Sequence, residues 1–219
     1  KMNITALLPM KRNSERVPNK NFKILSHKPL YKWILDSLLS IKEVKKIVIN
    51  TDAMSELSEL LKNEKIALRE RSPDICGDFV SMNKVIEDDL KNIDSDIYIM
   101  THTTNPFLSP QTIKHCIDKF IKEDCDSLFS VNKVQSRFYN SKVLPINHDP
   151  KDLIRTQDLE PFFEENSCIY IFTKESFFKN LNRIGENPIF FETSKIESID
   201  IDNKEDWDLA EIIAKKYYA

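Results

Sequence analysis

Ile4-Thr5-Ala6-Leu7-Leu8-Pro9-Met10-Lys11-Arg12-Asn13-Ser14-Glu15-Arg16-Val17-Pro18-Asn19-Lys20-Asn21 joins a short apolar run to a proline-bounded loop that carries four cationic side chains. An apolar run without alternation is the mark of a strand covered on both faces, as in a parallel sheet. In open α/β sheets the carboxyl end of such a strand is where ligands bind, so the basic loop lies at the expected place for an anion.

The same reading extends along the chain. Ile47 to Asn50, Ile97 to Met100, Ser127 to Val131 and Cys168 to Phe172 are further buried-strand candidates. Leu30 to Leu39, Ser55 to Lys62, Met82 to Leu90, Thr112 to Lys122 and Lys204 to Lys216 carry helical periodicity. Thr51-Asp52, Ser81 and Ser109-Pro110 supply start signals for three of these helices. Strand alternating with helix predicts an α/β fold of three layers, doubly wound around a mostly parallel sheet. Residues 135 to 165 break the pattern with Pro145, Pro150 and several aromatics, and are expected to form an irregular arm or insertion in a single domain spanning 1 to 219.

Bulk properties narrow the function. A chain of 219 residues is long enough to bury one continuous core, and 41% apolar with 31% charged residues is a globular balance. The net charge of −3 interleaves both signs, which favours neither nucleic acid nor an anionic membrane as partner. No apolar run approaches the ~18 residues of a membrane span, and the N-terminal stretch lacks a secretory pattern, so a cytoplasmic location is expected. Four scattered cysteines show no zinc or redox spacing and are expected to be reduced thiols. With only two glycines, Gly77 and Gly185, glycine-rich dinucleotide and P-loop patterns are excluded.

Two constellations carry chemistry. Lys11, Arg16 and Lys20 are spaced to converge on phosphate oxygens from both arms of the loop, Arg adding a planar fork that matches such oxygens. A solvated basic loop is the plain alternative. Asp200 and Asp202, two apart in an extended run, face one side and can share an ion; Mg²⁺ (or Mn²⁺) suits one or two carboxylates completed by substrate phosphates. Asp202 could equally cap the helix that follows.

The loop resembles the N-terminal signature of the CMP-sugar synthetases, the acylneuraminate and 3-deoxy-manno-octulosonate cytidylyltransferases, Pro-Ala-Arg-x-Gly-Ser-x-Arg-x-Pro-x-Lys-Asn. Pro9, Ser14, Arg16, Pro18, Lys20 and Asn21 match; Lys11 stands in place of Arg and Asn13 in place of Gly. The resemblance continues through Val48-Ile49-Asn50-Thr51-Asp52, Arg71-Ser72-Pro73-Asp74, Gly77-Asp78, Ser81, Met100 to Phe107 and Glu165-Asn166-Ser167-Cys168-Ile169-Tyr170-Ile171, in the family's order. It marks this chain as a divergent member.

What the resemblance implies is a nucleotide-diphospho-sugar transferase-like fold whose arm makes a homodimer, and a reaction between CTP and an acidic 2-keto-3-deoxy sugar of the sialic acid type. Lys11, Arg16 and Lys20 then act on the phosphates; Pro9, Ser14, Asn21, Arg71 and Ser81 bind the nucleotide; His102, where the family has Gln, with Asn166 and Tyr170, faces the acceptor; Asp200 and Asp202 hold the metal. Arg71 as a surface ion-pair partner is the competing reading. A 3-deoxy-octulosonate acceptor, another small acidic acceptor, or a nucleotide-binding homologue without turnover are the alternatives.

Overall fold

The computed structural model describes residues 2–219. Its centre is β1 (Ile4–Leu7), a strand buried at every position. Strand β4 (Val44–Thr51) flanks it on one side and β6 (Ile97–Thr101) on the other, both parallel to it. The chain thus leaves β1 to one side and later returns on the other, which makes the crevice beyond the carboxyl end of β1 the topological switch point of the sheet.

Seven strands order as β5-β4-β1-β6-β8-β7-β9, with β5 (Ile66–Glu70), β7 (Ser127–Val134), β8 (Phe162–Phe172) and β9 (Pro188–Glu192) completing the set. The half around β1 is parallel throughout, whereas β8 runs antiparallel to both β6 and β7. A small hairpin, β2 (Ile24–Leu25) and β3 (Lys28–Pro29), follows the basic loop.

Helices cover both faces, as the alternating pattern predicts. On one face α1 (Leu30–Leu39) contributes Ile34, Leu35 and Leu38, and α3 (Pro110–Lys122) contributes Ile113, Cys116 and Ile117. Each such large apolar side chain is worth roughly 1.5–3 kcal/mol when fully buried. On the other face α2 (Met82–Asn92) and α4 (Lys174–Asn180) pack Ile86, Leu90 and Phe177 against Tyr98, Tyr170 and Phe172. A third cluster joins Val17 of the basic loop to Leu30, Trp33 and Ile201 and to Trp207 and Ala210 of α5 (Lys204–Tyr217). That cluster anchors the loop and the Asp200-Ile201-Asp202 run to the same body.

Several boundaries differ from the sequence expectation for physical reasons. Residues 55 to 62 do not form an α-helix: the amide of Leu60 donates to Leu57 and that of Asn63 to Leu60, the tight i to i+3 pattern of a 3-10 turn over Ser58–Lys62. Only Leu57 is buried there, too narrow a stripe to hold a full helix against the sheet. Strands β5 and β9 escaped notice because they are the two sheet edges, covered on one face and carrying charges.

Strand β8 begins at Phe162, six residues before the apolar run, so the last residues of the expected arm belong to it. Between Val134 and Phe162 the chain is irregular, with one bridge between Tyr139 and Pro145 and a 3-10 turn at Thr156–Asp158. The β7–β8 register shifts between Phe129 and Val131, close to Ser167, which adopts φ 61°. Glycine tolerates this left-handed conformation best, and Ser167 adopts it with a side chain.

Candidate active site

A cleft of about 340 Å³ opens at the carboxyl ends of β1 and β6. Of the side chains singled out in the sequence, Pro9, Lys11, Ser14, Arg16, Lys20, Asn21, Arg71, His102 and Asp202 line it together. Ser81, Asn166, Tyr170 and Asp200 are not part of that lining.

The loop is held in place by its backbone, by the Asn21 amide and by carboxylates at its far side. Met10 N–H donates to Asn50 O at 2.9 Å, extending the β1 direction before the chain turns away. Asn21, buried, donates from Nδ2 to Lys11 O at 2.8 Å, and its Oδ1 accepts from Thr103 Oγ1 at 2.6 Å. The Asn21 amide therefore closes the loop and ties it to the turn just past β6. At the far side Arg12 is drawn off: its N–H donates to Asp52 Oδ1 at 2.6 Å and its guanidinium pairs with Glu56 at 2.8 Å. Asp52, expected at a helix start, is instead an anchor for this loop.

Three cations remain on the cleft side. Lys11 Nζ meets Asp78 at 2.9 Å, and this contact holds the Asp78 carboxyl below its ordinary range. Arg16 lies 3.6 Å from Asp202 Oδ1, both side chains being exposed. Lys20 donates to Ile201 O at 3.0 Å; burial lowers its pKa, while the Asp202 and Asp200 charges pull it back up.

Arg71 is not a surface ion-pair partner. It is 7% exposed, and it donates through Nε to Asn50 Oδ1 and through Nη2 to Asn50 O, each at 2.9 Å. The Asn50 amide is held in turn, Nδ2 donating to Asp89 at 2.8 Å and to Asp88 at 3.2 Å, with Arg69 Nε on Asp89 at 3.0 Å. Desolvation raises the buried Asp89 carboxyl to about 6 against the pull of Asn50 and Arg69. This relay from α2 through the end of β4 aims Arg71 at the cleft.

Ile201 is fully buried between two outward carboxylates, the alternation that an extended run requires. The cap of α5 is Asn203 in a reciprocal pair with Asp206, so Asp202 is not engaged as the cap. Crowding by the surrounding chain and then the Asp202 charge raise the Asp200 pKa, opposed by a hydrogen bond from Thr104. Two mutually repelling hard-oxygen donors beside a cationic phosphate loop fit a divalent cation whose other ligands are phosphates and water. No cluster of three or more acidic, histidine or cysteine ligands exists among the described residues, so a cation held here would take the rest of its shell from water and bound phosphates.

The acceptor-side candidates divide. His102 lines the cleft; burial and then the Arg183 charge lower its pKa to about 3, so the ring is neutral, and its Nε2 is buried without a partner. Asn166 spends its amide internally: Oδ1 accepts from Ser130 at 2.6 Å and Nδ2 donates to Thr193 at 2.7 Å and to Asn132 at 3.0 Å. Tyr170 is buried in the sheet, its hydroxyl on Glu165, with Arg183 stacked 3.8 Å from its ring centroid. Ser81 caps α2, its side chain accepting from Asn83 N–H at 3.2 Å. Sequence reasoning missed Asn50, Asp89 and Arg183; only Asn50, at the end of a quoted strand, left a signal in the chain.

With this geometry in hand, comparison with known proteins places the chain. A family model described as "Cytidylyltransferase" matches residues 5–218. The chain belongs to that family. Among curated members, the N-acylneuraminate cytidylyltransferase of Oncorhynchus mykiss is 28% identical over 96% of this chain and 50% of its own length. The CMP-N,N'-diacetyllegionaminic acid synthase of Legionella pneumophila is 27% identical over 96% of this chain and 95% of its own. The chain thus spans about half the length of the first relative and nearly all of the second. A solved CMP:2-keto-3-deoxy-manno-octonic acid synthetase superposes with a TM-score of 0.71 at 12% identity, covering 98% of this chain and 99% of that one, a likeness of fold.

Proposed function

We propose that this family member is a cytidylyltransferase that joins CMP from CTP to an acidic 2-keto-3-deoxy sugar, a sialic acid-like nonulosonate, releasing pyrophosphate. The observation that carries this reading is the convergence of Lys11, Arg16, Lys20 and Arg71 with Asp202 on one cleft at the switch point of the sheet. The curated relatives act on N-acylneuraminate and N,N'-diacetyllegionaminic acid, both acidic nonulosonates.

The acceptor hydroxyl attacks the α-phosphorus of CTP in line with departing pyrophosphate. Such transfers rest on positioning and charge neutralisation rather than on a protein nucleophile. Lys11 and Lys20, on opposite arms of the loop, neutralise charge on the β- and γ-phosphates, and Arg16 adds its fork. Pro9, Ser14 and Asn21 shape the loop around them, Arg71 and Ser81 serve the nucleotide, and neutral His102 orients the acceptor without adding charge. Tyr170 and Asn166 back the acceptor side from within the sheet. Asp200 and Asp202 would hold Mg²⁺ (or Mn²⁺), which supplies Lewis-acid charge neutralisation at the phosphates.

The arm carries exposed Leu144, Ile146, Leu153, Ile154, Phe162 and Phe163, an apolar surface suited to a homodimer. Sedimentation of the purified chain at micromolar concentration tests that assembly. Four free cysteines, two of them buried, accord with a reducing cytoplasmic setting. No helix among the described residues is long and apolar enough to cross a membrane.

The deciding experiment measures pyrophosphate release from CTP with Mg²⁺ and a panel of N-acetylneuraminate, legionaminate, pseudaminate and 3-deoxy-octulosonate, with UTP and GTP as controls. Turnover with CTP and one nonulosonate supports the reading. No release with any acid, together with no CTP-induced thermal shift, defeats it; a CTP shift without turnover favours a binding protein.

A further inference from the structure

Arg183 lies on the loop between α4 and β9, outside every stretch that the sequence singled out. Its guanidinium stacks over the Tyr170 ring, and its recorded hydrogen bond goes to Met100 Sδ at 3.7 Å, a weak acceptor. The acids nearby are engaged elsewhere: Glu186 pairs with Lys179 at 2.6 Å, and Glu165 accepts from the Tyr170 hydroxyl. A half-buried guanidinium with a sulfur for its partner has most of its five donors open.

The second open group is His102 Nε2, which is buried and unpartnered. His102 follows Met100 by two residues, just past the end of β6 and close enough to feel the Arg183 charge, and Met100 is the register partner of Tyr170. Arg183, Tyr170 and His102 therefore form one surface at the end of β6, and His102 joins that surface to the nucleotide cleft. Burial and the Arg183 charge keep His102 neutral, so in its Nε2–H tautomer it is a donor that adds no second charge.

We propose that Arg183 and His102 form the subsite that binds the carboxylate of the acceptor sugar. The inference rests on the cytidylyltransferase reading and deepens it. In a 2-keto-3-deoxy acid the anomeric carbon bears both the carboxylate and the attacking hydroxyl. A carboxylate that accepts from Arg183 and from His102 Nε2 sets that hydroxyl at the boundary with the phosphate loop. A guanidinium and a neutral donor satisfy a carboxylate with charge-assisted bonds, and the Tyr170 face keeps the fork planar beneath it.

The loop is fixed well enough to hold such a group. Gly185 N–H donates to Ser127 Oγ at 2.8 Å and Glu186 N–H to Asp126 at 2.7 Å. A Cβ at Gly185 would overlap the Asp126 carboxylate, which would have to give up its place under the Glu186 amide.

Arg183→Gln keeps an extended side chain over Tyr170 and removes the charge; Arg183→Lys restores charge without the fork. With CTP and N-acetylneuraminate, R183Q raises the acceptor KM by roughly 10- to 100-fold, the range for losing a charged hydrogen-bonding partner, and leaves the CTP KM within about twofold. R183K recovers part of the loss. Direct binding separates this inference from the reading beneath it: wild-type protein binds N-acetylneuraminate at least about tenfold more tightly than its methyl ester, and R183Q abolishes the preference. The CTP-induced thermal shift, preserved in R183Q, certifies its fold. Equal binding of acid and ester by the wild type, no binding of the acid, or an unchanged acceptor KM in R183Q overturns the subsite. Failure of turnover with every acid in the panel overturns the function instead.

Discussion

Polar side chains on the two sides of the cleft are committed to different degrees. At the ends of β1 and β4 they are tied to one another before any ligand arrives: Asn21 locks the loop to Thr103, and Asn50 brackets Arg71 while Asp88 and Asp89 bracket Asn50. Across β6 the groups nearest the cleft are left open, His102 Nε2 without a partner and Arg183 with only a sulfur. An unmade bond at a buried polar group costs about 1–3 kcal/mol, a cost that a ligand accepting from His102 Nε2 would remove on binding. The side proposed for the nucleotide is preorganised, and the side proposed for the acceptor keeps donors open for a ligand.

The largest effect that would sharpen this contrast falls where the two halves meet. Asp200→Asn or Asp202→Asn should lower kcat by about 10²-fold or more, because charge neutralisation by a metal is worth several kcal/mol. Pyrophosphate release across a Mg²⁺ and Mn²⁺ titration measures it, and a loss below tenfold in both variants would remove the pair from the reaction.

Next comes stability. Asp89 in the folded chain holds its proton up to about 6, above the ordinary 3.8. The native state then binds more protons than the unfolded state between those values, so this group's contribution to stability falls as pH rises through that window. Asp89→Asn lacks the titration. The stability of D89N relative to wild type should therefore rise by on the order of 2–3 kcal/mol from pH 4 to pH 7, read by urea unfolding. A flat difference would mean that Asp89 ionises normally within its Asn50 and Arg69 contacts.

Breaking the donor relay one step nearer the ligand gives a kinetic signature. Asn50→Ala removes the Oδ1 acceptor of Arg71 and should raise the CTP KM about tenfold, the cost of one buried charged contact, with the acceptor KM unmoved. An equal rise in both constants would show that the two halves are not independent. The smallest effect tests the strand that backs the acceptor side. Ser167→Gly should stabilise by about 0.5–1 kcal/mol, since φ 61° strains a side-chain-bearing residue more than it does glycine. A thermal melt showing destabilisation would indicate that Ser167 Oγ, 3.4 Å from the Tyr170 hydroxyl, matters more than the backbone.

The preorganised half was also the more legible one. Lys11, Arg16, Lys20 and Asn21 lie within eleven residues of one another directly after a buried strand, so composition and position both point at them. Asp200 and Asp202 were readable because the two-residue period of an extended chain puts them on one side. Arg183 is invisible in this way: its neighbours Tyr170, Met100 and His102 come from other strands, and no local pattern encodes a stacking contact across the sheet. Asn166 shows the converse, since a motif match suggested a ligand contact where the fold spends its amide on Ser130, Asn132 and Thr193. The antiparallel turn of β8 was equally hidden, because a strand buried on both faces reads as the same apolar run in either direction.

The contacts of Lys11 with Asp78 and of Arg16 with Asp202 give the basic loop the makings of an ion exchanger. Two of its three cleft-facing cations already carry a counterion, and that counterion is tethered to the chain. A triphosphate bound as proposed would displace carboxylates that cannot diffuse away, in place of sodium or potassium ions that can. Affinity for the nucleotide should then respond to ionic strength less steeply than three free cations would dictate, because fewer mobile ions are released on binding. Asp78 sits between Gly77, at φ 111°, and the fully exposed Phe79, so the tethered counterion of Lys11 belongs to an exposed segment at the mouth of the cleft.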